Sequence, residues 1–129
     1  MTGEKLTATT QTTNYCPWKH AEALGIAIKH RQLPAPMVAA YSPDSDLIYV
    51  RPGLRFIVEK CAIAHEIVHW EYRDTGERPG EEQRANKIAS QRLIDSEELT
   101  KLLADSLDYR HIARELGVTL TILKAYLAE

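Results

Sequence analysis

From Leu54 to Arg73 the chain contains neither Gly nor Pro, and its centre reads Cys61-Ala62-Ile63-Ala64-His65-Glu66-Ile67-Val68-His69-Trp70-Glu71-Tyr72. An uninterrupted apolar frame of this kind predicts a buried helix over about Leu54–Tyr72. On a helix, His65 and His69 stand one turn apart on one face, where two imidazoles can converge on a single metal ion. Glu66 lies on the flank of that face, placed to take a proton from an attacking water, the role HExxH assigns to its Glu. The alternative is a core helix whose histidines merely hydrogen-bond. It is disfavoured because a buried Glu between them is costly without a partner.

The rest of the chain supports a small α+β domain. Pro17 suits the first turn of a helix. Trp18, Ala21, Leu24, Gly25 and Ile28 then step at helical spacing, predicting a helix from Trp18 to Gln32 that ends at Leu33-Pro34-Ala35-Pro36. Met37–Tyr41 and Leu47–Val50 are β-prone runs joined by Ser42-Pro43-Asp44-Ser45-Asp46, a hairpin signal for a small antiparallel sheet with Ile48 and Val50 on one face. Arg73–Gly80 reads as a loop, Glu81 opens a helix lined by Ala85, Ile88, Ala89 and Leu93, and Asp95-Ser96 caps the next. Three divisions follow: a flexible Thr-rich tail (1–14), a metal-binding core (15–95) and a helical C-terminal segment (96–129).

A catalytic zinc takes three protein ligands and keeps a position open. Candidates for the third are Glu71, Glu77, Glu81 and Glu82. Glu71 falls on the wrong side of the central helix, and Glu77 lies in the loop. Glu81 and Glu82 open the following helix, and periodicity does not separate them. Cys61, one turn before His65, reads as an apolar filler before it reads as a further ligand.

His65-Glu66-Ile67-Val68-His69, followed by Glu82-Gln83-Arg84-Ala85-Asn86-Lys87-Ile88-Ala89 and Arg92-Leu93-Ile94, resembles the ImmA/IrrE family of metallopeptidases. The resemblance spans about Trp18–Leu127 and implies a small zincin-like fold. It implies Zn²⁺ on His65, His69 and Glu82, Glu66 as the catalytic base, and Asn86 as a partner steadying a ligating histidine. It further implies that the substrate is a protein, a helix-turn-helix repressor of a phage or other mobile element. A binding module that grips the repressor without cleaving it is the alternative.

Ile112-Ala113-Arg114-Glu115-Leu116-Gly117-Val118-Thr119 has the cadence of a helix-turn-helix. From Asp108 to Glu129, however, Arg110, Arg114 and Lys124 are balanced by Asp108, Glu115 and Glu129, and the whole chain carries a net charge of −2. Phosphate neutralisation requires a cationic excess, so nucleic acid is the weaker reading and a segment packed on the core the stronger. His20 and His30 read as surface residues, and Tyr72, Tyr109 and His111 as residues able to approach the site. No apolar run approaches a membrane span, and no apolar leader segment is visible in the Thr-rich opening. A cytoplasmic protein is expected.

Overall fold

The computed structural model describes residues 14–128. The tail expected over residues 1–14 therefore lies, apart from Asn14, outside the described residues. Among the described residues, six helices and three strands follow in the order α1 (Pro17–Leu24), β1 (Ala27–His30), β2 (Ala39–Ser42), β3 (Leu47–Val50), α2 (Phe56–Tyr72), α3 (Glu81–Leu93), α4 (Ser96–Asp105), α5 (Tyr109–Leu116) and α6 (Leu120–Leu127). The α+β expectation holds. Among the described residues no helix is long and apolar enough to cross a membrane.

The first helix is shorter than its periodicity suggests. Gly25 adopts φ 80°, and the turn closes with Ile26 N–H donating to Ala21 O (2.8 Å) and Gly25 N–H to Glu22 O (3.0 Å). These paired bonds form a Schellman cap, which a left-handed glycine makes without steric cost. The chain then turns into β1, which pairs in parallel with β3, Ile28 opposite Ile48. Ile28 had fitted a helical stripe with Ala21 and Leu24, but Ile26 and Ile28 also fit a strand's period of two. The glycine decides between the two patterns. Residues 27–30, His30 included, are strand and not helix, and the sheet is mixed, in the order β1-β3-β2, rather than wholly antiparallel.

The expected hairpin forms as β2 and β3, with Tyr41 opposite Ile48 and both Ile48 and Val50 fully buried. β2 is left at the sheet edge. Arg51 N–H donates to Val38 O (2.8 Å), so the register gives the ladder bonds to residues 38, 40 and 42. In an antiparallel pair the intervening residues turn their polar groups the other way, so Ala39 and Tyr41 present theirs at the open edge.

α2 divides the interior into two cores. Ile63 and Ile67 pack with Ala21, Ile26, Ala39, Ile48 and Val50 against α1 and the sheet. Cys61, Ala64 and Val68 pack on another side against Ala85, Ala89 and Leu93 of α3 and against Ile112, Leu116, Ile122 and Leu123 of the C-terminal helices. Burying a side chain the size of Ile or Val contributes about 1.5–3 kcal/mol, so both contacts hold this helix firmly. Cys61 is part of the second core, and burial pushes its thiol above the ordinary value. The C-terminal helices are tied down by Lys87, whose ammonium donates to the carbonyls of Tyr126 (2.9 Å), Ala128 (2.7 Å) and Ala125 (3.2 Å) at the end of α6.

Replacing Gly25 with Ala forces a Cβ into the left-handed region, where nothing in the surrounding space compensates. Gly25→Ala is expected to cost about 1–2 kcal/mol and to lower Tm by roughly 3–8 °C in a thermal melt. An unchanged melt would show that the cap is not needed to end α1.

Candidate metal centre

Two core contacts occupy most of the circumference of α2, and the remaining stripe carries Ala62, His65, Glu66 and His69. The N-terminus of α3 approaches this stripe because Ala85 and Ala89 pack beneath it in the second core. Glu82 is thereby brought over the two histidines. Its Oε1 lies 3.0 Å from His65 Nε2 and its Oε2 lies 3.0 Å from His69 Nε2, while the two Nε2 atoms are themselves 3.0 Å apart. His65, His69 and Glu82 thus form a group close enough to hold a metal ion.

Glu81, which periodicity could not distinguish from Glu82, does other work. It is 4 % exposed and accepts a hydrogen bond from Gly76 N–H (2.8 Å), closing the loop before α3. Glu71 reaches Arg92 at 2.9 Å, on the far side of the helix, and Glu77 is exposed in the loop. Neither joins the group.

Each histidine is held from behind. His65 Nδ1 donates to Asn86 Oδ1 at 2.7 Å. His69 Nδ1 donates to Asp74 Oδ2 at 2.8 Å. With the Nδ1 atoms as donors, each neutral ring turns its lone pair out through Nε2. Three electron-rich groups facing one another at 3.0 Å repel unless a cation or proton lies among them, so the donor set fits a metal.

Asp74 is the residue that the sequence motifs do not reveal. α2 ends with Arg73 at φ 53°, and its cap closes through Asp74 N–H to His69 O (3.0 Å) and Arg73 N–H to Trp70 O (3.2 Å). The same turn that terminates the helix folds Asp74 back beside the last histidine. Burial alone would raise its carboxyl, but hydrogen bonds from His69 and Arg84 outweigh burial and hold it below the ordinary value. The anion in turn fixes the ring. An acidic residue five positions after HExxH, following a turn, was the signal available.

Glu66 lies between the histidines and the sheet edge, lining a hollow with each histidine and accepting a hydrogen bond from the backbone of Tyr41, and is 9 % exposed. Burial raises its pKa, while a backbone hydrogen bond from Tyr41, and positive charge on His65 or His69 when either ring is protonated, pull in the other direction without cancelling the shift. Tyr41 itself donates from its hydroxyl to Asp74 O (2.5 Å), and its ring stacks near His69 at 6.4 Å between centroids. Strand edge, Glu66 and the histidines are therefore one connected unit.

The site opens on both sides of Glu66. One hollow, of about 360 Å³, is bounded by Met37, Tyr41, His69, Asp74, Glu81 and Glu82. The other, of about 250 Å³, lies on the His65 side. Ala39 and Glu66 line both, so together they form a groove along the edge of β2. Glu82 is 70 % exposed through its side chain, which leaves the ion group accessible from solvent. Tyr72, Tyr109 and His111 line neither hollow.

No curated protein and no solved structure matches the chain. The model of the IrrE N-terminal-like domain, peptidase M78, matches residues 21–127. That span contains the whole of the ion group, both residues behind it and the helices that support them, in agreement with the resemblance carried by the two motifs. The chain belongs to this metallopeptidase family.

Proposed function

We propose that the protein is a zinc-dependent metallo-endopeptidase in which His65, His69 and Glu82 hold Zn²⁺ and Glu66 is the catalytic base. The observation that carries this reading is the convergence of three donor atoms, each ring anchored through its other nitrogen, beside a buried carboxylate on an open groove. Bound there, zinc would act as a Lewis acid towards a peptide carbonyl and would lower the pKa of water. Two nitrogens and one carboxylate match the ligand set of hydrolytic zinc sites and leave a position free.

The chain's own groups would do the rest. An extended peptide can pair with the edge-facing polar groups of Ala39 and with the carbonyl of Tyr41, whose N–H is taken by Glu66, which fixes the scissile bond in register along the strand edge. Glu66, its proton affinity raised by burial, would take a proton from the attacking water and deliver it to the departing amine. The Tyr41 N–H keeps that carboxylate aimed along the groove. Asp74 and Asn86 would prevent the imidazoles from rotating and would favour the Nδ1–H tautomer throughout.

The substrate is proposed to be a protein, a helix-turn-helix repressor of a phage or mobile element, whose cleavage regulates transcription. Support comes from the family and from the groove, which accommodates an extended segment. The packing of α6 weighs against a DNA-binding reading. Ile122 and Leu123 are buried in the second core, and Lys87 is spent on the carbonyls at the helix end.

Elemental analysis of chelator-free protein is expected to find one zinc per chain, and Glu82→Ala to lose most of it. Zinc taken up by neither protein would overturn the ligand set. Asp74→Ala and Asn86→Ala should each weaken zinc binding about 10–100-fold in a competition titration, and full retention of affinity would remove their positioning role. Glu66→Gln should keep its zinc and lose about 10²–10⁴-fold in peptide hydrolysis. If repression is relieved equally well by Glu66→Gln, the protein works by gripping its partner.

A further inference from the structure

The smaller hollow, on the His65 side, differs in chemistry from its neighbour. Val38 just before the edge strand, Val58 and Ala62 from α2, and Thr119, Thr121 and Ile122 from the start of α6 make its walls. His65, Glu66 and Asn86 of the site form the remaining polar rim, and no other charged side chain lines it. The hollow across the site is bounded instead by Asp74, Glu81 and Glu82. An apolar side chain entering the groove thus gains burial on one side of the ion group and meets carboxylates on the other. At about 250 Å³ the hollow is smaller than the pockets that take drug-sized ligands, a scale suited to one side chain.

Its far wall is built rigidly. Thr119 caps α6, accepting a hydrogen bond from Ile122 N–H (3.3 Å), and it also hydrogen-bonds the buried Cys61 thiol of α2. The preceding turn is closed by Val118 N–H to Ala113 O (3.0 Å). The part of the chain with a helix-turn-helix cadence therefore presents the start of its second helix to the peptidase groove.

We infer that the helix-turn-helix-like segment is a specificity element of the metal site. Thr119, Thr121 and Ile122 wall a pocket that takes the aliphatic side chain, Val, Leu, Ile or Met, next to the scissile bond. The inference rests on reading the site as that of a peptidase. The occupant is set by continuity: Ala39 and Glu66 belong to this pocket and to the groove beyond it, so a chain paired with the strand edge must pass its opening.

The test uses a random-sequence peptide library with two readouts: cleavage by the zinc-loaded protein, and retention on zinc-loaded, immobilised Glu66→Gln. Wild type is expected to select an aliphatic residue at one fixed position beside the cleaved bond. Thr121→Trp, at an exposed position that tolerates the larger ring, should fill the pocket. It should cut kcat/KM for aliphatic peptides by about tenfold or more, while peptides with Gly or Ala there change little. Val58→Ala should enlarge the pocket and admit Phe. Cleavage without preference, or a preference that neither variant moves, overturns the pocket and leaves the peptidase reading intact. Selective retention of aliphatic peptides that is lost in Thr121→Trp, with no cleavage, supports the pocket and overturns the peptidase reading. Neither cleavage nor selective retention overturns both.

Discussion

Everything at the site depends on α2 being buried on two sides. One side of the helix belongs to the sheet core through Ile63 and Ile67, and another belongs to the helical core through Cys61, Ala64 and Val68. A helix so enclosed has one stripe left for polar groups, and that stripe is itself mostly sheltered. Polar atoms in such a place must be partnered or they cost stability. The protein meets the requirement from three directions: α3 supplies Glu82 and Asn86, the turn after α2 supplies Asp74, and the strand edge supplies the Tyr41 N–H. The same hydrogen bonds that make the stripe tolerable also aim its nitrogens outward. Stability and readiness for a metal come from one arrangement.

The parts of the fold that could be read from the sequence are those where local pattern and tertiary packing agree. The central helix, the hairpin with Ile48 and Val50 inward, and the Asp95 cap fall in this group, since each is specified by spacing or by a single side chain. β1 could not be read in this way. Its residues fit a helical stripe as well as a strand, and the choice rests on Gly25 adopting a left-handed conformation. Periodicity does not report that.

The site divides along the same line. HExxH declares His65, Glu66 and His69 because one helix carries them all. Glu82 and Asn86 needed the second motif, since helical spacing allowed Glu81 equally. What separates the two glutamates is the loop, where Gly76 N–H claims the carboxylate of Glu81. Asp74 is reached only through the turn at Arg73. Its acidic side chain soon after the helix is visible in the sequence, but Arg73 adopts the left-handed region without being glycine, so the placing of that carboxylate beside His69 is a product of backbone geometry.

This geometry also explains why a C-terminal segment with the cadence of a DNA-binding motif can matter to a metal site. α3 carries Glu82 and Asn86 on the face turned to α2, and it carries Lys87, one residue on, towards the end of α6. Beneath it, Ala85, Ala89 and Leu93 pack with Ile122 and Leu123. A displacement of α6 would therefore reach α3 before it reached the sheet, because the sheet shares no core with it. His65 is the meeting point. Its Nδ1 depends on Asn86 in the helical half, while its neighbour Glu66 depends on Tyr41 in the sheet half. Glu66 and His65 keep their relative positions only while both cores stay closed on α2, which makes packing far from the histidines a direct control on the geometry of the site.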